Sequence, residues 1–172
     1  MKYYNQDTQR LILRKMHKDD IKEWIEFFID NPLEIYLGID VSLPTETKAT
    51  NWIDLQLKRY ATNDFGHLAA IEKKTGHLVG VGGLIKRDIN SKEELEIAYS
   101  IIPQFWGNGY ATEISKQMKK YAIENKLSES LISIISIENT PSKKVALKNG
   151  FQISETAIYK GMNVDIFRTK CV

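Results

Sequence analysis

Between Glu94 and Ile102 apolar and polar positions alternate, with Leu95, Ile97, Tyr99 and Ile101 on one face and Glu96, Ala98 and Ser100 on the other. A period of two predicts a strand, and Pro103 ends it. Past Gly107 and Gly109 the period changes: Ile114, Met118, Tyr121 and Ala122 recur at helical spacing. Residues 131–137 are mostly apolar, as expected of a central strand buried on both faces. Towards the N-terminus, a strand is predicted over about residues 9–14. A helix from about Asp20 to Asp30 follows, with Ile21, Trp24, Ile25, Phe28 and Ile29 as its core stripe; Asn31-Pro32 stops it. A second helix spans about Glu46 to Ala61, with Ile53, Leu57, Tyr60 and Ala61 in register. Strands near 66–72 and 78–86 meet at the turn Lys73-Lys74-Thr75-Gly76, and a last hairpin turns near Lys160-Gly161. Gly82-Gly83 within a strand indicates a bulge or a close backbone approach.

The passage from strand to helix at Pro103-Gln104-Phe105-Trp106-Gly107-Asn108-Gly109-Tyr110-Ala111-Thr112 carries the chemistry. Such a loop gathers backbone N–H groups at the positive end of a helix dipole, which suits a phosphate. The Gly-Lys-Ser/Thr ending of a Walker loop is absent. A dinucleotide fingerprint fits poorly, because the third glycine is replaced by Thr112 and the loop lies mid-chain. A Gly-x-Gly by itself is equally compatible with a tight turn. A second segment runs Asn139-Thr140-Pro141-Ser142-Lys143-Lys144-Val145-Ala146-Leu147-Lys148-Asn149-Gly150-Phe151. Thr140 suits an N-cap, Pro141 the first helical position, and Gly150 a left-handed stop followed by a hydrophobic residue.

Together these segments resemble the two acetyl-CoA-binding motifs of the GCN5-related N-acetyltransferase superfamily. Trp106-Gly107-Asn108-Gly109-Tyr110-Ala111 is similar to its pyrophosphate loop, with Trp106 where the family usually has Gln or Arg, a departure common in the ribosomal-protein and polyamine N-acetyltransferase branch. Thr8 to Arg14 with Asp20 is similar to that branch's opening, and Gly161-Met162-Asn163-Val164-Asp165 to its closing hairpin. The resemblance spans about residues 8–170. It implies an α/β (α+β) fold: a mixed, mainly antiparallel twisted sheet with helices on both faces. Two central parallel strands splay apart there and admit the pantetheine arm. The implied cosubstrate is acetyl-CoA, held by Ile101, Ile102, Gly107, Asn108, Gly109, Tyr110, Ala111, Thr112, Asn139 and Lys144.

Transfer to an amine requires a neutral nucleophile. At pH 7 a lysine-like amine costs about 4.6 kcal/mol to deprotonate and an α-amine only about 1 kcal/mol. Glu96 is the candidate base, on a strand leading to the loop and beside the small residues Ala98 and Ser100. The alternative is a solvated carboxylate in the patch Glu93-Glu94-Glu96. Many family members carry a tyrosine acid seven residues after the Asn of the second motif. Here that position is Ala146, and Ser142 is the substitute donor to the leaving thiolate; alternatively it only favours the first helical turn. Phe27 and Tyr36 are candidates for the acceptor side, with partial burial as the alternative. Glu23, Glu26, Asp30 and Glu34 could serve a polycation, or form a solvated helix face.

Composition narrows the partners. The chain has 172 residues, enough for one substantial core and short for two, so a single domain is expected. Net charge is +2 and the basic residues come as scattered pairs, which argues against nucleic acid. No apolar run reaches membrane-spanning length, and the N-terminus has no signal-peptide core, so a cytoplasmic protein is expected. The single cysteine, Cys171, excludes an intrachain disulfide and a cysteine metal cluster. His17, His67 and His77 form no ligand pattern, so no metal is expected and surface or turn positions are assigned to them. A homodimer is compatible with the sequence, which does not fix the oligomeric state. Two functions remain: an N-acetyltransferase acting on a protein or peptide N-terminus, a polyamine or another small amine, or a catalytically silent module that binds acetyl-CoA. The peptide α-amine is favoured over the polyamine.

Overall fold

The computed structural model describes residues 2–89 and 91–171. Eight strands form one sheet in the order β1-β2-β3-β4-β5-β6-β8-β7. They are β1 (Asn5–Asp7), β2 (Leu11–Arg14), β3 (His67–Glu72), β4 (Leu78–Ile89), β5 (Lys92–Ile101), β6 (Ser130–Ser136), β7 (Gln152–Tyr159) and β8 (Met162–Lys170). Every neighbouring pair is antiparallel except β5 and β6, which are parallel and share one registered pair, Glu96 with Ile132. Beyond it the two strands part. Ser133 Oγ donates to the Ile97 carbonyl across the start of the gap at 2.8 Å.

The helices are α1 (Ile21–Trp24), α2 (Thr45–Ala61), α3 (Tyr110–Glu124) and α4 (Thr140–Lys148). Strand register puts them on both faces. Leu68, Gly82 and Tyr99 are paired across β3, β4 and β5, and so share one face. A Cβ at Gly82 would overlap Ile114 of α3, so this glycine lets α3 lie against the strand. The neighbouring row, His67, Gly83 and Ala98, faces the other way, where Trp52 of α2 stacks on His67 at 5.3 Å between ring centroids. The register shift lies between Ala70 and Ile71, so of the two roles open to Gly82-Gly83 close approach is the one used. The core joins both layers through Leu68, Val81, Leu84, Ile97, Ile114, Met118 and Trp24, each at most 1% exposed.

The first predicted helix is wound differently from its pattern. Only Ile21–Trp24 is α-helical; 3-10 turns flank it at Lys18–Asp20 and Ile25–Phe28. Adjacent Phe27 and Phe28 are both buried. Three residues per turn brings i and i+3 into line, so Trp24 stacks flat on Phe27 at 4.5 Å with 8° between planes. Winding stops at Phe28, where Asn31 Nδ2 donates to the Phe27 carbonyl, and Ile29 is left 44% exposed rather than in the core stripe. In α2, Ala61 likewise falls at the exposed end of the helix. The N-cap of α4 is Asn139 and not Thr140: Asn139 Oδ1 accepts from Ser142 N–H at 3.2 Å, and Pro141 stands at the second position. Gly150 is left-handed at φ 78° and Phe151 is buried behind it, as the sequence predicts.

Candidate active site

Two cavities open where β5 and β6 part. The larger, about 1190 Å³ counted to its mouth, lies between the glycine loop, α4 and the 3-10 segments that follow α1. Gly107 and Gly109 adopt φ 80° and 79°, a region that costs an L side chain about 1–2 kcal/mol. No backbone carbonyl among the described residues accepts from the N–H groups of residues 107–112; the first helical bond runs from Glu113 N–H to the Gly109 carbonyl. A Cβ at Gly107 would meet nothing within 4 Å. Four orphan N–H groups at the start of a fifteen-residue helix, beside unfilled space, suit an oxyanion-rich ligand. Lys144 and Lys148 of α4 line the same cavity.

Side chains around the loop fix it from behind. Trp106 Nε1 donates to the Ile101 carbonyl at 2.7 Å and ties the loop to the end of β5. Tyr110 points its hydroxyl to Glu72, away from the cleft, so its contribution is its N–H. Arg10 packs over the Tyr110 ring, pairs with Glu113 at 2.7 Å and donates to the Asn108 carbonyl at 2.9 Å. Asn108 turns its own amide to the Phe105 carbonyl. Of the expected cofactor contacts, Ile101, Gly107, Gly109, Tyr110, Ala111, Thr112, Asn139 and Lys144 line the cavity. Ile102 and Asn108 do not: Ile102 is 2% exposed and packs into the core, and Asn108 turns its amide back to the loop.

The second cavity, about 810 Å³, is walled by β3, β4, β5, β6, the β7–β8 hairpin, α2, the start of α4 and the Pro32–Leu37 segment. Glu96 opens on it while only 5% exposed. Its Oε2 accepts from Arg87 Nε at 2.6 Å, and its Oε1 lies 3.4 Å from Ile134 N, at the edge of hydrogen-bond range. Glu96 is therefore no surface carboxylate. It is a buried ion held at the registered pair from which β5 and β6 diverge. Tyr36 lines this cavity, whereas Phe27 lines the larger one and stacks in the core. Glu23, Glu26, Asp30 and Glu34 line neither. Glu23 accepts from Leu78 N–H at 3.0 Å, and Glu34 pairs with the buried Lys48 at 2.7 Å.

The cavities share a wall made of Leu37, Tyr99, Ser100, Asn139 and Ser142. Tyr99 donates its hydroxyl to the Ser142 carbonyl at 3.1 Å, and burial raises the phenol far above its ordinary range, so it stays protonated. That bond and the one to Asn139 use the peptide of Ser142 and leave its hydroxyl uncommitted by them.

The acetyltransferase (GNAT) domain profile matches residues 10–152, most of the chain. The protein belongs to the GNAT acetyltransferase family. It is similar to the Bacillus subtilis protein YkkB, 27% identical over 151 residues that cover 87% of this chain and 86% of that one. The uncharacterized N-acetyltransferase YoaA of B. subtilis is 25% identical, covering 85% and 81%. Among solved structures, an acetyltransferase from Agrobacterium tumefaciens superposes with a TM-score of 0.78 at 21% identity, covering 96% and 93%. A spermidine N-acetyltransferase from Vibrio cholerae, bound to CoA and spermine, superposes at 0.74 with 14% identity, covering 95% and 96%. The protein is an acetyl-CoA-dependent acyltransferase of this family, and the acetyl group of its cosubstrate arrives as an activated thioester.

The larger cavity fits that cosubstrate: it has orphan N–H groups and lysines suited to the diphosphate, and a wall shared with the second cavity where the reactive end would lie. Ala146, where many GNAT members carry a tyrosine, is 2% exposed and packed in the core, so no acid can come from there. The sequence reading missed three residues. His67 is buried at the start of β3, not at the surface; burial first, then Arg59 and Arg87, pushes it down to about 3. Nothing local in the sequence singles out Arg87, and Lys160 reads there only as part of the turn of the last hairpin.

Proposed function

We propose that this GNAT enzyme acetylates the α-amine of a protein or peptide N-terminus. The observation that carries the acyl-transfer reading is the shared wall, with a buried carboxylate on the acceptor side and an uncommitted hydroxyl at the junction. Backbone N–H groups of Gly107 to Thr112, with Lys144, hold the diphosphate of acetyl-CoA. Asn139 positions the peptide of Ser142. Glu96 takes the proton from the attacking amine, directly or through water, and Ser142 Oγ gives one to the departing thiolate.

The α-amine is favoured over a polyamine on charge. Among the described residues, Glu96 is the only carboxylate lining the acceptor cavity, and Arg87 already balances it. A polycation would want several free carboxylates there. The acids of the first helical segment, which could have supplied them, are turned elsewhere. An α-amine also asks less of its base, since deprotonation costs it about 3.5 kcal/mol less than a lysine-like amine. The test is thiol release from acetyl-CoA in competition between spermidine and short peptides with free N-termini. A higher kcat/KM for the peptides is expected. A higher value for spermidine, fading with salt, would reject this assignment, and no release with any amine would point instead to a silent CoA-binding module.

A further inference from the structure

The charges around the acceptor cavity carry the reading one step further, and the step rests on the α-amine assignment above. Among the described residues, three charged side chains line this cavity: Glu96, Arg87 and Lys160. Glu96 and Arg87 neutralise one another at 2.6 Å, which leaves the ammonium of Lys160 as the uncompensated charge. Lys160 stands at the tip of the β7–β8 hairpin and reaches across to the segment after Tyr36, where its Nζ lies 3.4 Å from the Gly38 carbonyl. Among the described residues it has no carboxylate within 4 Å. Arg87 and Lys160 each lie 5.9 Å from the centroid of the Tyr159 ring, so both cations border one aromatic side chain of the wall.

Two further observations agree. The Lys160 ammonium is pushed below its ordinary value by partial burial and then by Arg87, which lines the same cavity. Repulsion among cations gathered at one cavity is relieved by an anion. The wall also holds hydrogen-bonding groups with no partner, Trp52 Nε1 and both ring nitrogens of His67, on two stacked residues that line the cavity. Burial keeps His67 neutral, so it offers one donor and one acceptor and adds no charge of its own.

We propose that the acceptor is an anionic α-amine, whose carboxylate lies close to the amine and is held by Lys160 beside the Glu96–Arg87 pair. That carboxylate has two sources: the side chain of an acidic first residue in a peptide, or the α-carboxylate of a free amino acid, which would keep the α-amine but replace the peptide terminus as acceptor.

The experiment is a set of kcat/KM values at low salt. One arm compares asparagine with asparagine amide, which differ only in the α-carboxylate. The other compares C-terminally amidated peptides that begin with Asp, Asn or Lys and are otherwise identical. A preference of about tenfold or more for the anionic member of one pair supports the proposal and names the source. That preference should shrink as salt screens it. Lys160→Glu should abolish it and shift selectivity towards the Lys-first peptide. Equal rates within both pairs overturn this proposal and leave the α-amine assignment standing. Spermidine outrunning every α-amine overturns both.

Discussion

The two cavities that meet at Ser142 are built on different principles. The cofactor cleft is made by backbone: contiguous N–H groups, two left-handed glycines and a helix end, all within residues 107–112. The acceptor cleft is made by side chains that eight segments bring together, from Tyr36 and Trp52 to Tyr159 and Lys160. A backbone site tolerates most side-chain changes and fails when chain geometry changes. A side-chain site keeps its shape under loop changes and fails when one charge is removed. The difference also matches what each must do. A diphosphate is the same in every reaction of this family, whereas the acceptor must be chosen.

The sharpest break is Gly109→Asp. It adds a Cβ at φ 79°, 3.7 Å from Arg10 Nη2, and places a negative charge at the N–H groups proposed to hold the diphosphate, so acetyl-CoA affinity should fall by more than about 100-fold. Calorimetry measures the affinity, and circular dichroism checks that the variant is folded. Binding within a few-fold of wild type would show that the loop is only a turn.

Next is Glu96→Gln. Loss of a general base should lower kcat by about 100-fold at neutral pH, with recovery as pH rises towards the pKa of the acceptor amine. The substitution also leaves Arg87 without its anion, and breaking a buried pair is destabilising. The double variant Glu96→Gln, Arg87→Gln separates the two effects. Thermal stability should return towards wild type in the double variant while kcat stays low. Activity that returned with stability would reduce Glu96 to a structural role.

A smaller effect probes the acceptor wall through pH. His67 falls from 6.5 to about 3 in the folded chain, because burial penalises its cation first and Arg59 and Arg87 repel it next. The unfolded chain therefore binds a proton that the folded chain refuses. This contribution to stability is complete above pH 6.5 and is lost as pH drops from 6.5 towards 3. At its steepest the loss is about 1.4 kcal/mol per pH unit. Between about pH 5 and 6.5 most carboxylates remain ionised, so denaturant unfolding there isolates the histidine. His17 and His77 are exposed, with side chains 56% and 64% accessible. The slope should flatten in His67→Gln; an unchanged slope would place the titrating group elsewhere.

The contrast also explains what the sequence could reveal. Contiguity made the glycine loop legible: the switch from period two to period 3.6 across Gly107-Asn108-Gly109 showed strand, loop and helix between Leu95 and Ala122. Glu96 was legible for a related reason, since alternation set it among small neighbours on the strand entering that loop. Its partner Arg87 sits nine residues away on the adjacent strand, and only the β4–β5 register brings them together. The burial of His67 depends on α2 closing over β3, a packing fact with no local pattern. The tightened first helix was hidden because i and i+3 lie on one side in both α and 3-10 winding, so a short stripe does not tell them apart.

The smallest expected effect is at the junction. Ser142→Ala should lower kcat by about tenfold or less, because water can protonate a good leaving group in its place. KM for acetyl-CoA should be unchanged, since Asn139 holds residue 142 through its N–H. Stopped-flow thiol release resolves this. A fall in acetyl-CoA affinity without a change in kcat would make Ser142 a cofactor contact only.

The most direct measurement is acetyl-CoA titration by calorimetry into wild type, Gly109→Asp and Glu96→Gln under one set of conditions. Separate construction of the two clefts predicts that Gly109→Asp loses binding and that Glu96→Gln keeps the wild-type Kd despite its lost turnover. Weakened binding in Glu96→Gln, or retained binding in a folded Gly109→Asp, would contradict it.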